Sequence, residues 1–168
     1  MLIVMAGLPG TGKSAVAEGL ARAIGAPVIS VDPIEAALWR AGIARDQPTG
    51  LAAYVVAEAI ASSSLAVGQT VIVDAVNAVA PAREQWRALA GLHGLPLRFV
   101  ETICSDTELH RSRLETRRRD IDGFREPTWD DVLRRREEYE GWTEERLVLD
   151  TCAPLGDCIS DAVRYVSA

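Results

Sequence analysis

The chain has 168 residues, 48% hydrophobic, 25% charged and 5% aromatic. That length and apolar content suit one domain with one core and exclude disorder. Its 18 basic and 24 acidic residues give a formal net charge of −6, which disfavours a general nucleic-acid binder, since a phosphate backbone needs a basic face.

Leu2 to Ala6 reads as a buried strand, and Ser14 to Ile24 as a helix with Val16, Leu20 and Ile24 on one face. Pro27 to Ser30 is a second short strand. Asp32-Pro33-Ile34-Glu35 then opens a helix, with an acid cap, proline at the first position and glutamate at the third. Residues 51–67 form another helix, stopped by Gly68, and Thr70 to Asp74 is the third strand. Pro81 starts a helix that turns Trp86 and Leu89 inward, and Leu97 to Ile103 is the fourth strand. Ser105-Asp106-Thr107-Glu108 reads as a capping box, and the helix behind it runs into an arginine cluster. Asp120 to Pro127 is a polar loop. Thr128 caps a helix with Trp129, Val132, Leu133 and Tyr139 facing inward. Leu147 to Leu149 is the fifth strand, and a short helix with Ile159, Val163 and Val166 ends the chain.

Strands alternating with helices predict an α/β fold, a parallel sheet with right-handed crossovers and helices on both faces. Ligands of such sheets bind outside the carboxyl ends of the strands. Cys104, Cys152 and Cys158 make no C-x-x-C pair, which argues against a disulfide framework or a zinc site and for small buried or half-buried hydrophobes in a reducing compartment. The N-terminus lacks a basic n-region and a long apolar h-region, so it is not read as a signal peptide. No apolar stretch is read as long enough to span a membrane. The expectation is a soluble, cytoplasmic monomer or homodimer.

Seventeen of the 18 basic residues are arginine, and the sole lysine is Lys13. It sits in Gly7-Leu8-Pro9-Gly10-Thr11-Gly12-Lys13-Ser14, a match to G-x-x-x-x-G-K-[ST]. Glycines let the backbone curl around a phosphate, and the following helix presents its positive end. In that motif the lysine reaches the β- and γ-phosphates and the hydroxyl of Ser14 ligates Mg²⁺, so ATP and Mg²⁺ are the implied cofactors.

A switch GTPase needs a second lysine in N-K-x-D, and an ABC-type ATPase needs an L-S-G-G-Q-like segment; neither is present. Asp74 is followed by Ala75, not by a water-activating glutamate. What remains is a small kinase in which an acceptor hydroxyl attacks the γ-phosphate. Asp122-Gly123-Phe124-Arg125 resembles the D-G-F-P-R segment of adenylate kinases, but lacks the proline and follows strand four instead of strand three. It is read as part of a loop.

The segments Gly7 to Ser14, Ile29 to Asp32, Val71 to Asp74 with Asn77, Arg113 to Arg117 and Leu147 to Thr151 give the chain a resemblance to the small P-loop kinases that are similar to polynucleotide 5′-kinase domains, chloramphenicol phosphotransferase and zeta-toxin kinases. The resemblance implies a three-layer P-loop NTPase fold over residues 1–168, strand order 2-3-1-4-5 and an arginine-bearing lid at roughly 111–127. It also implies that Asp150 and Thr151 line the adenine site. In the polynucleotide kinases an arginine usually follows the second-strand aspartate by three positions. Glu35 stands there, which weighs against a phosphorylated or polynucleotide acceptor.

Asp32 is the candidate to orient and deprotonate an acceptor hydroxyl, or else a helix cap. Asp74, ending strand three, is placed to hold Mg²⁺ through water or to bind the acceptor, or is a strand-end turn residue. Asn77 is an acceptor ligand or an ordinary loop residue. Arg113 and Arg117, four apart on one helix face, are favoured from the run Arg111, Arg113, Arg117, Arg118, Arg119 to neutralise the transition state, and Arg117 also to contact the nucleotide. Arg136 falls in the middle of the inward face and is read as a substrate contact that needs an anion, or as a residue with a protein partner. Three functions stay open: transfer to a small-molecule hydroxyl, a nucleotide-binding module or slow ATPase with a protein partner, and a 5′-hydroxyl polynucleotide kinase.

Overall fold

The computed structural model describes residues 1–117, 121, 126–139 and 141–168. Arg118, Arg119 and the 122–125 segment, all considered from sequence, lie outside the described residues. The elements run β1 (Leu2–Ala6), α1 (Lys13–Ile24), β2 (Val28–Ser30), α2 (Val31–Arg40), α3 (Thr49–Ala66), β3 (Val71–Asp74), α4 (Ala80–His93) and β4 (Leu97–Ile103). They continue with α5 (Thr107–Thr116), α6 (Trp129–Arg136), a 3₁₀ turn (Glu137–Tyr139), β5 (Leu147–Asp150) and α7 (Leu155–Ser167).

The five strands form one parallel sheet in the order β2-β3-β1-β4-β5, as the resemblance implies. β1, central in that order, is buried along its whole length, so it reads as a continuous apolar run without alternation. Its side chains nevertheless divide by the two-residue period of a strand. Leu2 and Val4 join Val71 and Val73 beneath α3 and α4, with Ala53, Ala57, Ala61, Trp86 and Leu89. Ile3 and Met5 join Ile72 beneath α1 and α7, with Val16, Leu20, Ala162 and Val166.

Two sequence expectations shift for local reasons. β2 runs directly into α2, so Ser30 is the N-cap residue and Asp32 lies inside the first turn; it is not the cap. Proline at position 33 is tolerated there because first-turn amides have no intrahelical partner. Asp106, not Ser105, caps α5 by accepting from the Leu109 amide (3.0 Å). α6 does carry the expected cap, with Thr128 and Asp131 forming a reciprocal box.

The membrane expectation also needs correcting. Thr49–Ala66 is long and apolar enough to cross a membrane by length and composition. In this fold its row Thr49, Ala53, Ala57, Ala61 and Leu65 is buried. The alanines of that row sit on one face of the sheet.

Candidate active site

The loop from Gly7 to Gly12 joins β1 to α1 at the carboxyl edge of the sheet. Positive φ at Gly7 (143°), Gly10 (87°) and Gly12 (81°) lets it fold back on itself. The loop is clamped by residues distant in sequence. The Gly7 amide donates to the Tyr139 hydroxyl (2.7 Å), which itself donates to the Val76 carbonyl. His110 Nε2 meets the Pro9 carbonyl (2.8 Å), the Thr11 and Thr102 hydroxyls pair (2.8 Å), and Thr151 Oγ1 donates to the Thr11 carbonyl (2.9 Å). Burial pushes the His110 imidazole pKa down and the Tyr139 phenol pKa up, which keeps both neutral.

Asp74 ends β3 in register with Met5 of β1 and Ser30 of β2. Its carboxylate, almost wholly buried, forms an ion pair with Lys13 through Oδ1 and accepts from Ser14 Oγ (2.8 Å) and Ser30 Oγ (2.9 Å) through Oδ2. Burial raises the carboxyl pKa, but the Lys13 ammonium and the two serine hydroxyls outweigh it and hold the group below the ordinary carboxylate range. The hydroxyl of Ser14 beside a carboxylate is a pair of hard oxygen donors next to the phosphate loop. That donor chemistry fits Mg²⁺, which takes one or two carboxylates and keeps its other positions for water and phosphate.

Two clefts meet at the sheet edge. One, of about 430 Å³, is lined by Gly10, Gly12, Lys13, Ser14, Asp32, Val76, Arg113, Thr116, Arg117 and Arg135, among others. The other, of about 300 Å³, is lined by Asp32, Glu35, Gly50, Tyr54, Val76, Ala78, Val79, Arg135 and Glu138, among others. Asp32, Val76 and Arg135 border both. Burial pushes the Tyr54 phenol pKa up to about 12, and its hydroxyl accepts from the Asn77 amide (3.1 Å).

Residues 2–139 match the model of a family described as AAA domain. The chain belongs to that AAA domain family. This AAA domain superposes on many solved structures. One is a sugar kinase from a Janibacter species, 18% identical over 99% of this chain and 94% of that one, with TM-score 0.73. Another is a gluconokinase from Sinorhizobium meliloti, 23% identical over 98% and 90%, with TM-score 0.68. A third is the Mycobacterium tuberculosis APS kinase CysC in complex with AMPPNP and APS, 16% identical over 99% and 97%, with TM-score 0.70. At these identities the likeness establishes a shared fold. No curated protein matches the sequence.

Within the AAA domain the structure gathers Lys13, Ser14, Asp32, Arg113 and Arg117 around one cleft. Arg113 is anchored, donating to Thr151 Oγ1 (2.9 Å) and to the Thr151 carbonyl (3.0 Å). Arg117 pairs with Glu126 (2.9 Å). Asp150 accepts from the Ser105 amide (3.2 Å) and the Cys152 amide (3.1 Å), and the Ser105 hydroxyl first, then these amides, hold its carboxyl pKa well below the ordinary range.

Two candidates fall elsewhere. Asn77 is fully buried at φ 53°, with its amide nitrogen donating to the Met5 carbonyl (2.7 Å) and its oxygen accepting from Trp86 Nε1 (2.8 Å). It therefore joins β1 to α4 and has no face toward an acceptor. Arg136 and Leu133 are exposed, and Arg136 lines a third cavity beside β4. Its neighbour Arg135 is the arginine at both clefts. Sequence reasoning missed Arg135, Tyr54, Glu138 and Ser30. Only Ser30 carried a signal, as a hydroxyl ending a strand beside the P-loop strand pair.

Proposed function

We propose that the chain is an ATP- and Mg²⁺-dependent phosphotransferase that phosphorylates a hydroxyl of a small molecule. The observation that carries this reading is the place of Asp32. It is a carboxylate at the junction of a phosphate-loop cleft and a second, polar cleft of small-molecule size. A pure nucleotide-binding module has no need of the second cleft.

The division of labour follows from position. The loop backbone, Lys13 and the N-terminus of α1 hold the triphosphate. Lys13 exchanges its partner Asp74 for phosphate as it does so. Ser14 and Asp74 would hold Mg²⁺, which when bound supplies charge neutralisation across the phosphates. Asp32 orients the acceptor hydroxyl toward the loop and takes its proton. Arg117 and Arg135 face the transferring group, where cations aimed at developing charge are worth most.

The acceptor cleft presents Asp32, Glu35 and Glu138 against one guanidinium, Arg135. Three carboxylates to one cation disfavour an anionic acceptor such as a phosphorylated strand, and favour a neutral or amine-bearing alcohol.

The test is Asp32→Asn assayed with labelled ATP against a panel of neutral, cationic and anionic alcohols. The expected outcome is transfer to neutral or cationic members, lost by about 10²–10⁴-fold in the variant, with ATP affinity nearly unchanged. Unaltered turnover of a proven acceptor by Asp32→Asn refutes the role of Asp32. Transfer confined to anionic alcohols refutes the acceptor assignment.

A further inference from the structure

Beyond the two clefts lies a pair of thiols that the transfer chemistry does not use. Cys104 directly follows β4, and Cys152 lies two residues past β5. The two strands are parallel neighbours with Ile103 beside Asp150, and the Thr151 amide continues the ladder to the Ile103 carbonyl (2.9 Å). That continuation sets the sulfurs of Cys104 and Cys152 side by side, 3.6 Å apart. The third cysteine, Cys158, is buried on the α7 side of the sheet, its thiol against the Asp150 carbonyl (3.8 Å).

The paired sulfurs differ in access. Cys152 is exposed, and the Asp106 amide (3.5 Å) and Ser105 hydroxyl (3.6 Å) contact its sulfur from the start of α5. Cys104 is half-buried and lines the cavity of about 330 Å³ beside β4. Burial pushes its thiol pKa up to about 11, which keeps it protonated. A dissolved oxidant therefore meets Cys152 first, with Cys104 placed to resolve the product.

We propose that Cys104 and Cys152 form a redox-modifiable dithiol, closed to a disulfide by a hydroperoxide and coupled to the nucleotide cleft through Thr151 and Arg113. In the first step the Cys152 sulfur attacks hydrogen peroxide, the O–O bond breaks, and Cys152 becomes a sulfenic acid with release of one water. In the second step the Cys104 sulfur attacks that sulfur. The S–O bond breaks, and the hydroxyl leaves with the Cys104 proton as a second water. Two thiols lose two electrons and one peroxide gains them. The sulfurs close from 3.6 Å to about 2.05 Å, a movement two strand-end residues can make.

The coupling lies in Arg113. Its guanidinium contacts the Cys104 sulfur (3.7 Å) and holds both the hydroxyl and the carbonyl of Thr151, the residue before Cys152. Thr151 in turn holds Thr11 of the phosphate loop. Closure takes away one contact of Arg113 and draws the Thr151–Cys152 peptide toward β4. This coupling rests on the nucleotide reading of the loop; the cross-link does not.

The experiment treats the full chain with a small excess of hydrogen peroxide, alkylates the remaining thiols and maps the peptides. The expected result is a Cys104–Cys152 cross-link reversed by dithiothreitol, with Cys158 alkylated. Cys104→Ser should leave a sulfenic acid at Cys152 that dimedone traps, and Cys158→Ser should still cross-link. A wild-type chain that forms no such cross-link, or links through Cys158, overturns the dithiol. Equilibrium binding of a fluorescent ATP analogue then reads the coupling. Affinity should fall several-fold on oxidation, recover on reduction and stay constant in Cys152→Ser. A cross-linked chain with unchanged affinity overturns the coupling. A reduced chain that does not bind the analogue refutes the nucleotide reading, and the coupling with it, while the peptide map still decides the dithiol.

Discussion

Asp74→Asn isolates the Lys13–Asp74 ion pair. The side chains of Lys13 and Asp74 are only 10% and 4% exposed, so both charges are largely removed from water. The amide substitution preserves shape and an acceptor for Ser14 and Ser30 but leaves Lys13 as a buried cation without its anion. Removing one partner of a buried pair costs about 3–5 kcal/mol, most of it the stranded charge and not the pair itself. Lys13 borders the phosphate-loop cleft and can turn its ammonium toward water there, so we expect about 3 kcal/mol, the lower end of that range. Urea denaturation at pH 7 without nucleotide measures it, alongside Lys13→Met and the double variant. The double variant strands no charge, so its loss should fall short of the sum of the singles by about 2 kcal/mol. Additivity within about 0.5 kcal/mol would show that the pair does not exist in the ligand-free chain.

The pH dependence of the same variant has a defined sign. Asp74 is held below its ordinary 3.8 when folded, so its ionised form contributes stability that is present above 3.8 and lost as pH falls through the folded value. The gap between wild type and Asp74→Asn should be flat near neutrality and close only in strong acid.

Three further outcomes follow from the clamps and the clefts. Gly7→Ala places a Cβ 2.6 Å from the Thr102 carbonyl oxygen at φ 143°, and because that oxygen belongs to the sheet we expect a loss above about 3 kcal/mol or an insoluble chain; a melting temperature within about 2 °C of wild type would refute it. His110 is held below its ordinary 6.5, so the unfolded chain takes up a proton that the native chain refuses as pH falls below 6.5, and stability should drop there. His110→Gln should remove that slope in melting curves between pH 7 and pH 5, taken as roughly the titration range of the unperturbed imidazole. Arg135→Gln should lower kcat by about 10²-fold while Arg136→Gln stays within about twofold, and equal effects would contradict the placement of the two side chains.

The contrast between positions 135 and 136 shows where sequence reasoning stops. Counting at 3.6 residues per turn from Val132 to Tyr139 places Arg136 on the inward face. The α-helix ends at Arg136, however, and Tyr139 sits in a 3₁₀ turn, where three residues make a turn, so Tyr139 does not extend the helix's face; with Leu133 exposed, Val132 alone marked it. The phosphate loop was legible because its chemistry is backbone chemistry within eight consecutive residues. The sheet order followed from the same resemblance, and the apolar runs marked all five strands. The second cleft was not legible because its polar residues come singly or in pairs from separate elements, Asp32 and Glu35 from α2, Tyr54 from α3, Arg135 from α6 and Glu138 from the 3₁₀ turn, and each is unremarkable locally. Asn77 misled for a different reason. Asparagine tolerates left-handed backbone and so reads as a loop residue, but here its amide bridges β1 to Trp86 of α4 in the core.

The anchoring of the arginines bears on which of them would act in the proposed transfer. Arg113 makes two hydrogen bonds to Thr151, and Thr151 also holds the phosphate loop through Thr11. Displacing Arg113 toward a phosphate breaks both and loosens the loop it would serve, so Arg113 acts as a strut that fixes α5 against the nucleotide cleft. Arg117 caps the C-terminal end of α5 in extended backbone, and Glu126 is its ion-pair partner. A partly exposed pair of this kind is worth little, about 1 kcal/mol or less, and a phosphate carries more charge than the carboxylate it would replace. Among the described residues, exchange of this Glu126 contact for a γ-phosphate would cost less than displacing Arg113 from Thr151. Under the proposed function, this would give transition-state contact to Arg117 and positioning to Arg113, a division that the shared spacing of the two residues on one helix face could not reveal.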